Sequence, residues 1–342
     1  MDNHEFTIKD VAKRANVSVS TVSRVLNGRD RVSPTTRKKV LRIIEELNYV
    51  PNSMAVSMIT KKSQMIAVVV PEIQNPFYTA VIQGAVEVAK RKGYYAFVFS
   101  TNDHETEEED FFEGILSKNV DGVIIIGAHK DAAFYRSIQK HVVLVDRYID
   151  GSGLDGVVID NFKGAYEATQ HMINCGHRKI AIINGSRDFN DGRERFWGYY
   201  QALSEQGLNI SEHYIKQGSW FEDNGYNATL ELMQMKDPPT AVFAANNLIC
   251  QGTIKAIRDL GLSIGDDISL VGFDENEIAE FIQPQVSVVR RPTFEMGTYA
   301  ARILIEKIEE KDHEDHPKKI TLDVELIVRN SVKIIESGKE YR

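Results

Sequence analysis

Residues 18–27, with the sequence SVSTVSRVLN, place small polar side chains and one arginine on a segment with helical periodicity. One apolar stripe of this helix is formed at i, i+3 and i+4 by Val22, Val25 and Leu26. Val19, Ser20, Ser23 and Arg24 fall on other sides and remain free to contact another molecule. Valine can touch a thymine methyl group, serine can donate or accept, and arginine can bind guanine O6 and N7 together, worth roughly 1–3 kcal/mol of discrimination. Side chains of these types can contact DNA bases, and a phosphate contact is the alternative for Arg24.

Neighbouring helices are predicted to hold this segment in place. Thr7 and Asp10 have the spacing of a capping box, and Asn16 can end the helix that they open, since asparagine tolerates the left-handed conformation. Ser18 can cap the next helix after a very short turn, and this arrangement is a helix-turn-helix. A third helix begins at Ser33-Pro34. Its apolar face is predicted to contain Val40, Leu41, Ile44 and Leu47.

Charge is distributed unevenly along the 342 residues. The net charge of −8 alone argues against a nucleic-acid partner. Residues 1–62, however, contain 12 Lys and Arg against 6 Asp and Glu, which leaves −14 for residues 63–342. A basic head on an acidic body indicates a small phosphate-seeking module joined to a domain with another task.

The head resembles the DNA-binding region of the LacI/GalR family of transcriptional regulators. The resemblance rests on TIKDVA at residues 7–12, VS at 17–18, TVSRVLN at 21–27 and Tyr49-x-Pro51-Asn52, in the family order. It implies that the helix starting near Ser18 enters the major groove and reads bases with Val19, Ser20 and Arg24. Contacts that set the register on phosphates are expected from Thr7, Ser18, Thr21, Ser23, Asn27 and Ser33.

Residues 51–62 form the predicted linker between head and body. The resemblance implies a hinge helix over about residues 52–59 that is ordered only on DNA, with Asn52 and Ala55 in their family places. Family members usually have Leu where this chain has Met58. An apolar side chain there can wedge into a minor-groove step and kink the duplex.

From Met65 onward, apolar runs alternate with amphipathic segments of helical length. Such strands predict parallel sheets covered by helices on both faces, and there are too many for one sheet. The expected fold is an all-α helix-turn-helix head (1–50) plus an α/β body (63–342) of two doubly wound lobes, matching the periplasmic-binding-protein fold that the resemblance implies. The first lobe would hold about 63–160 and 292–320, and the second 161–291 and 321–332, with one last strand over Ile320–Val328. Three crossings between the lobes would permit closure on a ligand.

Signals for catalysis or for bound metal are weak. No Gly-rich phosphate fingerprint, HExxH pair or nucleophile elbow is present, so no catalytic residue and no cofactor is expected. His171, Cys175 and His177 straddle the end of one predicted helix, and structural use is expected rather than metal binding. The polar N-terminus carries no secretory signal, which predicts a cytoplasmic protein.

Polar and aromatic side chains recur just past the predicted strands of the body. Ligands of this fold bind outside the carboxyl ends of the strands, where the lobes face each other. The candidate effector residues are Asn75, Phe77, Asp146, Arg147, Arg193, Arg195, Trp220, Asn246 and Asp274. Arg195, Trp220, Asn246 and Asp274 best match the family's effector positions. Asn247 replaces an Asp common in the family, which would alter the hydroxyl pattern or the contact between lobes.

These features predict a transcriptional regulator, a repressor, that binds a pseudo-palindromic operator as a homodimer. A sugar or sugar derivative bound between the lobes is the expected effector, because aromatic faces and Asp, Asn and Arg side chains suit sugar rings and hydroxyls. A purine or a phosphoprotein corepressor is the alternative within this class. A solute-binding receptor is the alternative outside it, and an enzyme comes third.

Overall fold

The computed structural model describes residues 6–26, 32–47, 49, 63–116, 120–138, 140–275, 277–309 and 316–335. The chain divides into two compact units, Met1–Gln64 and Met65–Arg342, called here the head and the body. No helix within the described ranges is long and apolar enough to cross a membrane.

The head consists of helices α1 (Ile8–Ala15), α2 (Val19–Leu26) and α3 (Pro34–Glu46) around a small apolar core. The side chains that are buried in this core are Val11, Ala12, Ala15, Val22, Val25, Val40, Ile43 and Leu47. The prediction for α3 was partly wrong, because Leu41 is 48% exposed and Ile43 takes its place. Residues 40, 43 and 47 lie on one helix face at i, i+3 and i+7, whereas residue 41 lies about 100° away.

The predicted helix ends of the head are confirmed. Thr7 and Asp10 form the capping box, with Asp10 Oδ2 accepting from Thr7 N at 2.8 Å. Asn16 ends α1 in the left-handed conformation at φ 52°. Ser18 Oγ accepts from Thr21 N, and Ser33 Oγ accepts from Thr36 N, both at 3.2 Å. Asn27, the hinge residues Asn52, Ala55 and Met58, and the rest of the linker lie outside the described residues, so those predictions remain open.

The first lobe of the body is built on a parallel sheet in the order β11-β5-β4-β3-β1-β2. Its strands are β1 (Met65–Val70), β2 (Tyr95–Ser100), β3 (Gly122–Ile125), β4 (His141–Val145), β5 (Asp155–Ile159) and β11 (Lys319–Leu322). The helices of this lobe are α4 (Pro76–Arg91), α5 (Glu105–Phe111) with a π-helical turn (Phe112–Leu116), α6 (Ala132–Ser137) and α12 (Thr293–Glu309). Helices α4 and α12 pack against each other on one face of the sheet.

The second lobe repeats this plan with the strand order β12-β10-β9-β8-β6-β7. Its strands are β6 (Ile180–Asn184), β7 (Ile215–Gln217), β8 (Ala241–Ala244), β9 (Ser269–Phe273), β10 (Ser287–Arg290) and the antiparallel β12 (Glu325–Ile327). Its helices are α7 (Asn161–Asn174), α8 (Asn190–Glu205), α9 (Glu222–Met233), α10 (Asn247–Asp259) and the short α11 (Glu277–Phe281), with a 3₁₀ turn at Glu212–Tyr214. Helices α7 and α8 cover one face of this sheet, and α9 and α10 cover the other.

The chain crosses between the lobes after β5, after β10 and between β11 and β12. The predicted fold of two doubly wound parallel-sheet lobes is confirmed. The single strand predicted over residues 320–328 is wrong, because this segment forms β11 in the first sheet and β12 in the second. Asp323 breaks the segment, since its Oδ1 accepts from Val324 N at 2.9 Å. Exposed and half-buried residues alternate on both sides of this turn. The sequence pattern therefore does not show that the chain moves from one sheet to the other here.

Candidate effector cleft and DNA-contacting surface

Two edges of parallel strands face each other between the lobes. Asp146 and Arg147 directly follow β4 in the first lobe, and Asp274 follows β9 in the second. Asn190 at the start of α8 connects the two edges. Its Oδ1 accepts from Tyr148 N at 2.7 Å, and its Nδ2 donates to Asp146 O at 3.1 Å. The carboxyl ends of the two sheets therefore form one cleft.

Arg291 lies in the centre of this cleft and joins both lobes from the crossover after β10. Its Nη1 donates to Asp146 Oδ1 at 2.6 Å, and its Nη2 donates to Asp274 Oδ2 at 2.8 Å. Its Nε donates to the other oxygen of Asp274, and its guanidinium carbon lies 3.6 Å from the ring centre of Phe77. Burial lowers the pKa of Arg291, but the two carboxylates more than offset this and hold it above its ordinary value.

The two aspartates that bind Arg291 have unusual backbone conformations. Asp146 has φ 64° and Asp274 has φ 74°, in the left-handed region that L-residues other than Asn and Asp rarely adopt. Each directly follows a buried strand, and the side chain of each pairs with Arg291. Aspartate thus serves both the left-handed backbone conformation and the ion pair at these positions.

Arg147 is a second buried arginine with carboxylate partners. It pairs with Asp103 of its own lobe, donates to Gly127 O at 3.2 Å and lies 3.9 Å from Asp191 Oδ2 of the other lobe. Its guanidinium carbon lies 5.0 Å from the ring centre of Phe189. Burial raises the pKa of Asp191, and Arg147 opposes that shift. Arg147 therefore anchors the first lobe to the start of α8.

Arg195 differs from these two arginines because its partners are neutral. Its Nε donates to Asn161 Oδ1 at 2.8 Å, and its Nη1 donates to Ala245 O at 2.7 Å. The guanidinium carbon lies 3.9 Å from the ring centre of Phe273. Its Nη2 is buried and has no hydrogen-bond partner among the described residues. Burial lowers the pKa of Arg195, and the neighbouring Arg291 lowers it further.

Trp220 is held beside Arg195 by a close backbone approach and by Asn246. A Cβ on Gly185 would lie 2.1 Å from Trp220 Cδ2, so the indole occupies the space that only glycine leaves at this position. Asn246 Nδ2 donates to Trp220 O at 2.8 Å, while its Oδ1 caps α10 by accepting from Ile249 N at 2.7 Å. The guanidinium carbon of Arg195 lies 5.4 Å from the Trp220 ring. Trp220 Nε1 is buried without a partner in the described part of the chain.

The structure gathers most of the predicted effector residues in this cleft. The residues that lie there are Asn75, Phe77, Asp146, Arg147, Arg195, Trp220, Asn246 and Asp274. Arg193 lies at the rim instead, where it is half-exposed, donates to Asp188 O at 3.3 Å and pairs with Asp150 at 3.7 Å. Lys130 and Asp188 form a second rim pair at 2.8 Å.

Several cleft residues were missed by the sequence analysis: Asp103, Phe189, Asn190, Asp191 and Arg291. Arg291 follows β10, a four-residue strand absent from the predicted apolar runs. Recognition of that strand would have placed Arg291 at a strand end, beside the other candidates. Asp191 carried no such signal, because it lies inside the first turn of a helix.

His177 has a structural role in the second lobe. Its Nδ1 lies 2.9 Å from Thr240 Oγ1, and its Nε2 lies 3.1 Å from Lys333 O. Burial lowers the pKa of His177 to about 4. His177 thus connects the end of α7 to Thr240, just before β8, through Nδ1 and to the last described segment through Nε2.

In the head, the side chains predicted to read bases are exposed together on α2. Val19 is 41% exposed, and Ser20 and Arg24 are exposed beside it. Ser18 Oγ lies 2.7 Å from Ser20 Oγ and 2.8 Å from Thr21 Oγ1, so these hydroxyls form one polar cluster at the start of the helix. Ser23 is half-buried, and the capping residues Thr7 and Ser33 are exposed at the starts of α1 and α3.

Comparisons with known proteins match both units. The model of bacterial regulatory proteins of the lacI family matches residues 7–52, and the periplasmic binding protein-like domain matches residues 169–332. Catabolite control protein A of Priestia megaterium is 33% identical over 87% of this chain and 91% of its own length. The chain belongs to the LacI family. It is a DNA-binding transcriptional regulator, and the prediction of that class is confirmed.

Other relatives of this LacI-family regulator agree with that assignment. The HTH-type transcriptional repressor PurR of Vibrio campbellii is 31% identical over 96% of this chain and 98% of its own length. The structure of a transcriptional regulator CelR–cellobiose complex aligns with a TM-score of 0.73 at 32% identity, covering 95% of this chain and 99% of that one. The operator-bound Lac repressor dimer, at 24% identity, a TM-score of 0.84 and coverage of 96% and 99%, shows the same fold.

Proposed function

We propose that this LacI-family regulator is a repressor whose operator binding is controlled by a sugar or sugar derivative bound between the lobes. The observation that carries the proposal is that, among the described residues, two buried donors of the cleft have no hydrogen-bond partner: Arg195 Nη2 and Trp220 Nε1. A buried polar group without a partner costs roughly 1–3 kcal/mol. A ligand that accepts from both donors would recover this free energy and favour the conformation in which the lobes are joined.

The aromatic surroundings favour a sugar over a purine. Trp220 lies beside Arg195, whereas Arg291 covers a face of Phe77 at 3.6 Å and Arg147 lies over Phe189 at 5.0 Å. Arginines thus occupy a face of Phe77 and of Phe189, which leaves no pair of free aromatic faces among these three rings to enclose a base. The cellobiose complex of the CelR structure supports the same ligand class.

We infer a homodimer that places two heads on a pseudo-palindromic operator in the cytoplasm. Strand β2 is the last strand of the first sheet, and its Tyr95 is 75% exposed. Phe281 of α11 is equally exposed on the second lobe. Exposed sheet edges and aromatic side chains favour association with another chain. Sedimentation equilibrium should show a dimer, and a monomer at micromolar concentration would contradict this part of the proposal.

The proposal is tested by measuring ligand binding and DNA binding on the same full-length protein. Thermal-shift measurements against a panel of sugars should find a ligand that raises Tm, because binding to the folded state alone stabilises it. Arg195→Ala and Asp274→Ala should reduce that shift, and the same ligand should change operator affinity in fluorescence anisotropy. A ligand that stabilises both variants as strongly as the parent would show that the site lies elsewhere.

The exposed position Arg258 provides a matched control. It lies in the last turn of α10 and pairs with its neighbour Asp259 at 2.8 Å, at the end of the helix opposite to Asn246. Arg258→Ala removes the same charge from the same lobe and should leave both the ligand shift and operator binding unchanged.

A further inference from the structure

The cleft contains three buried arginines whose hydrogen-bond partners differ in charge. Arg147 pairs with Asp103 and lies near Asp191, and Arg291 is bound by Asp146 and Asp274. Arg195, which is 1% exposed, has no carboxylate within salt-bridge distance in the described ranges of the chain. Both of its hydrogen bonds go to neutral oxygens. Arg195 is therefore buried without a carboxylate in direct contact among the described residues, and Asp274, Asp146 and Asp191 act on it only from a greater distance.

The two aspartates of the cleft that could accept sugar hydroxyls already accept hydrogen bonds from Arg291. Both oxygens of Asp274 accept from Arg291, and one oxygen of Asp146 accepts from the same guanidinium. Asn246 uses its Oδ1 to cap α10 and its Nδ2 to hold the Trp220 carbonyl. The two carboxylates are thus engaged with Arg291, and both groups of the Asn246 amide are engaged within the second lobe.

The unpartnered groups beside the tryptophan are mainly donors. Arg195 Nη2 and Trp220 Nε1 are both buried donors, and their side chains lie against each other. Asn184 Oδ1 is an acceptor that is buried without a partner in the described structure, and its Nδ2 donates to Gly192 O at 2.9 Å. Gly192 in turn lies against Trp220, since a Cβ there would be 3.1 Å from Trp220 Cζ2. The site thus offers one charged donor, one neutral donor and one acceptor in one neighbourhood.

We propose that the effector is a monoanionic sugar acid whose carboxylate binds Arg195 Nη2 and Trp220 Nε1. Its hydroxyl groups would lie toward Asn184, which can accept from one of them. This inference rests on the proposed function and narrows the class of ligand from sugars in general to acidic sugars. A buried guanidinium gains most from a direct partner of opposite charge, because hydrogen bonds between charged groups are the stronger ones.

A single negative charge suits this cleft better than two. Four carboxylates, those of Asp103, Asp146, Asp191 and Asp274, already lie around the three arginines. These carboxylates would repel a phosphate dianion about twice as strongly as a monoanion, since the Coulomb energy is proportional to the charge. A carboxylate brings one charge and two acceptor oxygens, which match the two unpartnered donors.

The test uses the full-length protein and matched pairs of neutral and acidic sugars. The probes are D-glucose with D-gluconate and D-glucuronate, D-galactose with D-galacturonate, and glucose 6-phosphate as the dianion. Thermal shift followed by isothermal titration calorimetry should show at least one monocarboxylate binding tenfold or more tightly than its neutral partner and than glucose 6-phosphate. Arg195→Gln should reduce the affinity for that acid at least tenfold and should narrow the difference between acid and neutral sugar. Arg258→Gln should leave both unchanged.

The following outcomes would contradict the inference of a sugar-acid effector. A neutral sugar that binds as tightly as its acid, a preference for glucose 6-phosphate, or a panel in which no monocarboxylate raises Tm contradicts the sugar-acid effector. If a neutral sugar binds and its binding is lost in Arg195→Ala, the proposed function stands while the acidic ligand is wrong. If a sugar acid binds equally well to the parent and to Arg195→Gln, the carboxylate does not contact this arginine.

Discussion

Asn75 of the first lobe and Asn247 of the second join the lobes through their side-chain amides. Asn247 Nδ2 donates to Asn75 Oδ1 at 2.8 Å, and Asn75 Nδ2 lies 3.5 Å from Asn247 Oδ1. Asn75 Oδ1 also accepts from Phe77 N at 3.0 Å and so caps α4. The Asn at position 247, which departs from the family's usual Asp, thus takes part in the contact between lobes. It donates to an oxygen that also caps a helix of the opposite lobe.

Replacing Asn247 should weaken this junction by an amount that depends on which hydrogen bonds the new side chain can still make to Asn75. Asn247→Ala leaves the buried amide of Asn75 without its partner, and we expect a loss of about 1–3 kcal/mol in the free energy of unfolding. Asn247→Asp keeps an acceptor for Asn75 Nδ2 but places a carboxylate oxygen, instead of the Nδ2 donor, against Asn75 Oδ1, so its loss should be at least as large. Urea unfolding followed by circular dichroism measures both. Asn174→Ala, at the exposed end of α7, is the control, and equal stability of all three variants would show that the contact contributes nothing.

Arg291 should be far more important for stability than its neighbour Arg290. The side chain of Arg291 is 4% exposed between two buried carboxylates, whereas that of Arg290 is 48% exposed in a pair with Glu275. Arg291→Met leaves both carboxylates buried and unpaired, and a loss of about 3–5 kcal/mol is expected. Arg290→Met should cost about 1 kcal/mol or less, because an exposed ion pair contributes little.

His177 should make the body less stable in mild acid. Its pKa is lowered to about 4 in the folded state against an ordinary value near 6.5, so the unfolded chain takes up the proton first. Stability contributed by this group is present above pH 6.5 and falls as pH drops toward 4. We expect a loss of about 2 kcal/mol between pH 7.5 and pH 5 from this group. In His177→Gln that part of the pH dependence should vanish, and an unchanged pH profile would contradict the assignment.

Substitution of Arg24 tests whether its side chain reads a base or binds a phosphate. If it binds guanine in the major groove, Arg24→Ala should cost about 1–3 kcal/mol on the preferred operator and relax the preference at one base position. Operators obtained by selection from random DNA, measured by fluorescence anisotropy at fixed salt, provide the readout. Arg42→Ala is the control, since Arg42 is exposed on α3 and paired with Glu46 at 2.8 Å. An equal loss on all DNA sequences would assign Arg24 to phosphate.

Much of the head could be predicted from sequence because its structure is decided locally. The caps at Thr7, Ser18 and Ser33 and the turn at Asn16 depend on residues within three or four positions along the chain. The choice between Leu41 and Ile43 for the core of α3 was not local. It depends on the angle at which the third helix meets the other two, and only packing fixes that angle.

The sequence by itself determined the family, the two-lobed fold and the strand ends from which most cleft residues project. Strand patterns and turn residues report on backbone direction, and parallel strands bring their carboxyl ends to one edge. Only the tertiary structure decided which side chains meet. Arg291 binds two aspartates 17 and 145 positions away, and this pairing leaves Arg195 as the cleft arginine with neutral partners in the described structure. Such a distribution of charge depends on how two lobes close on each other, and no spacing along the chain encodes it.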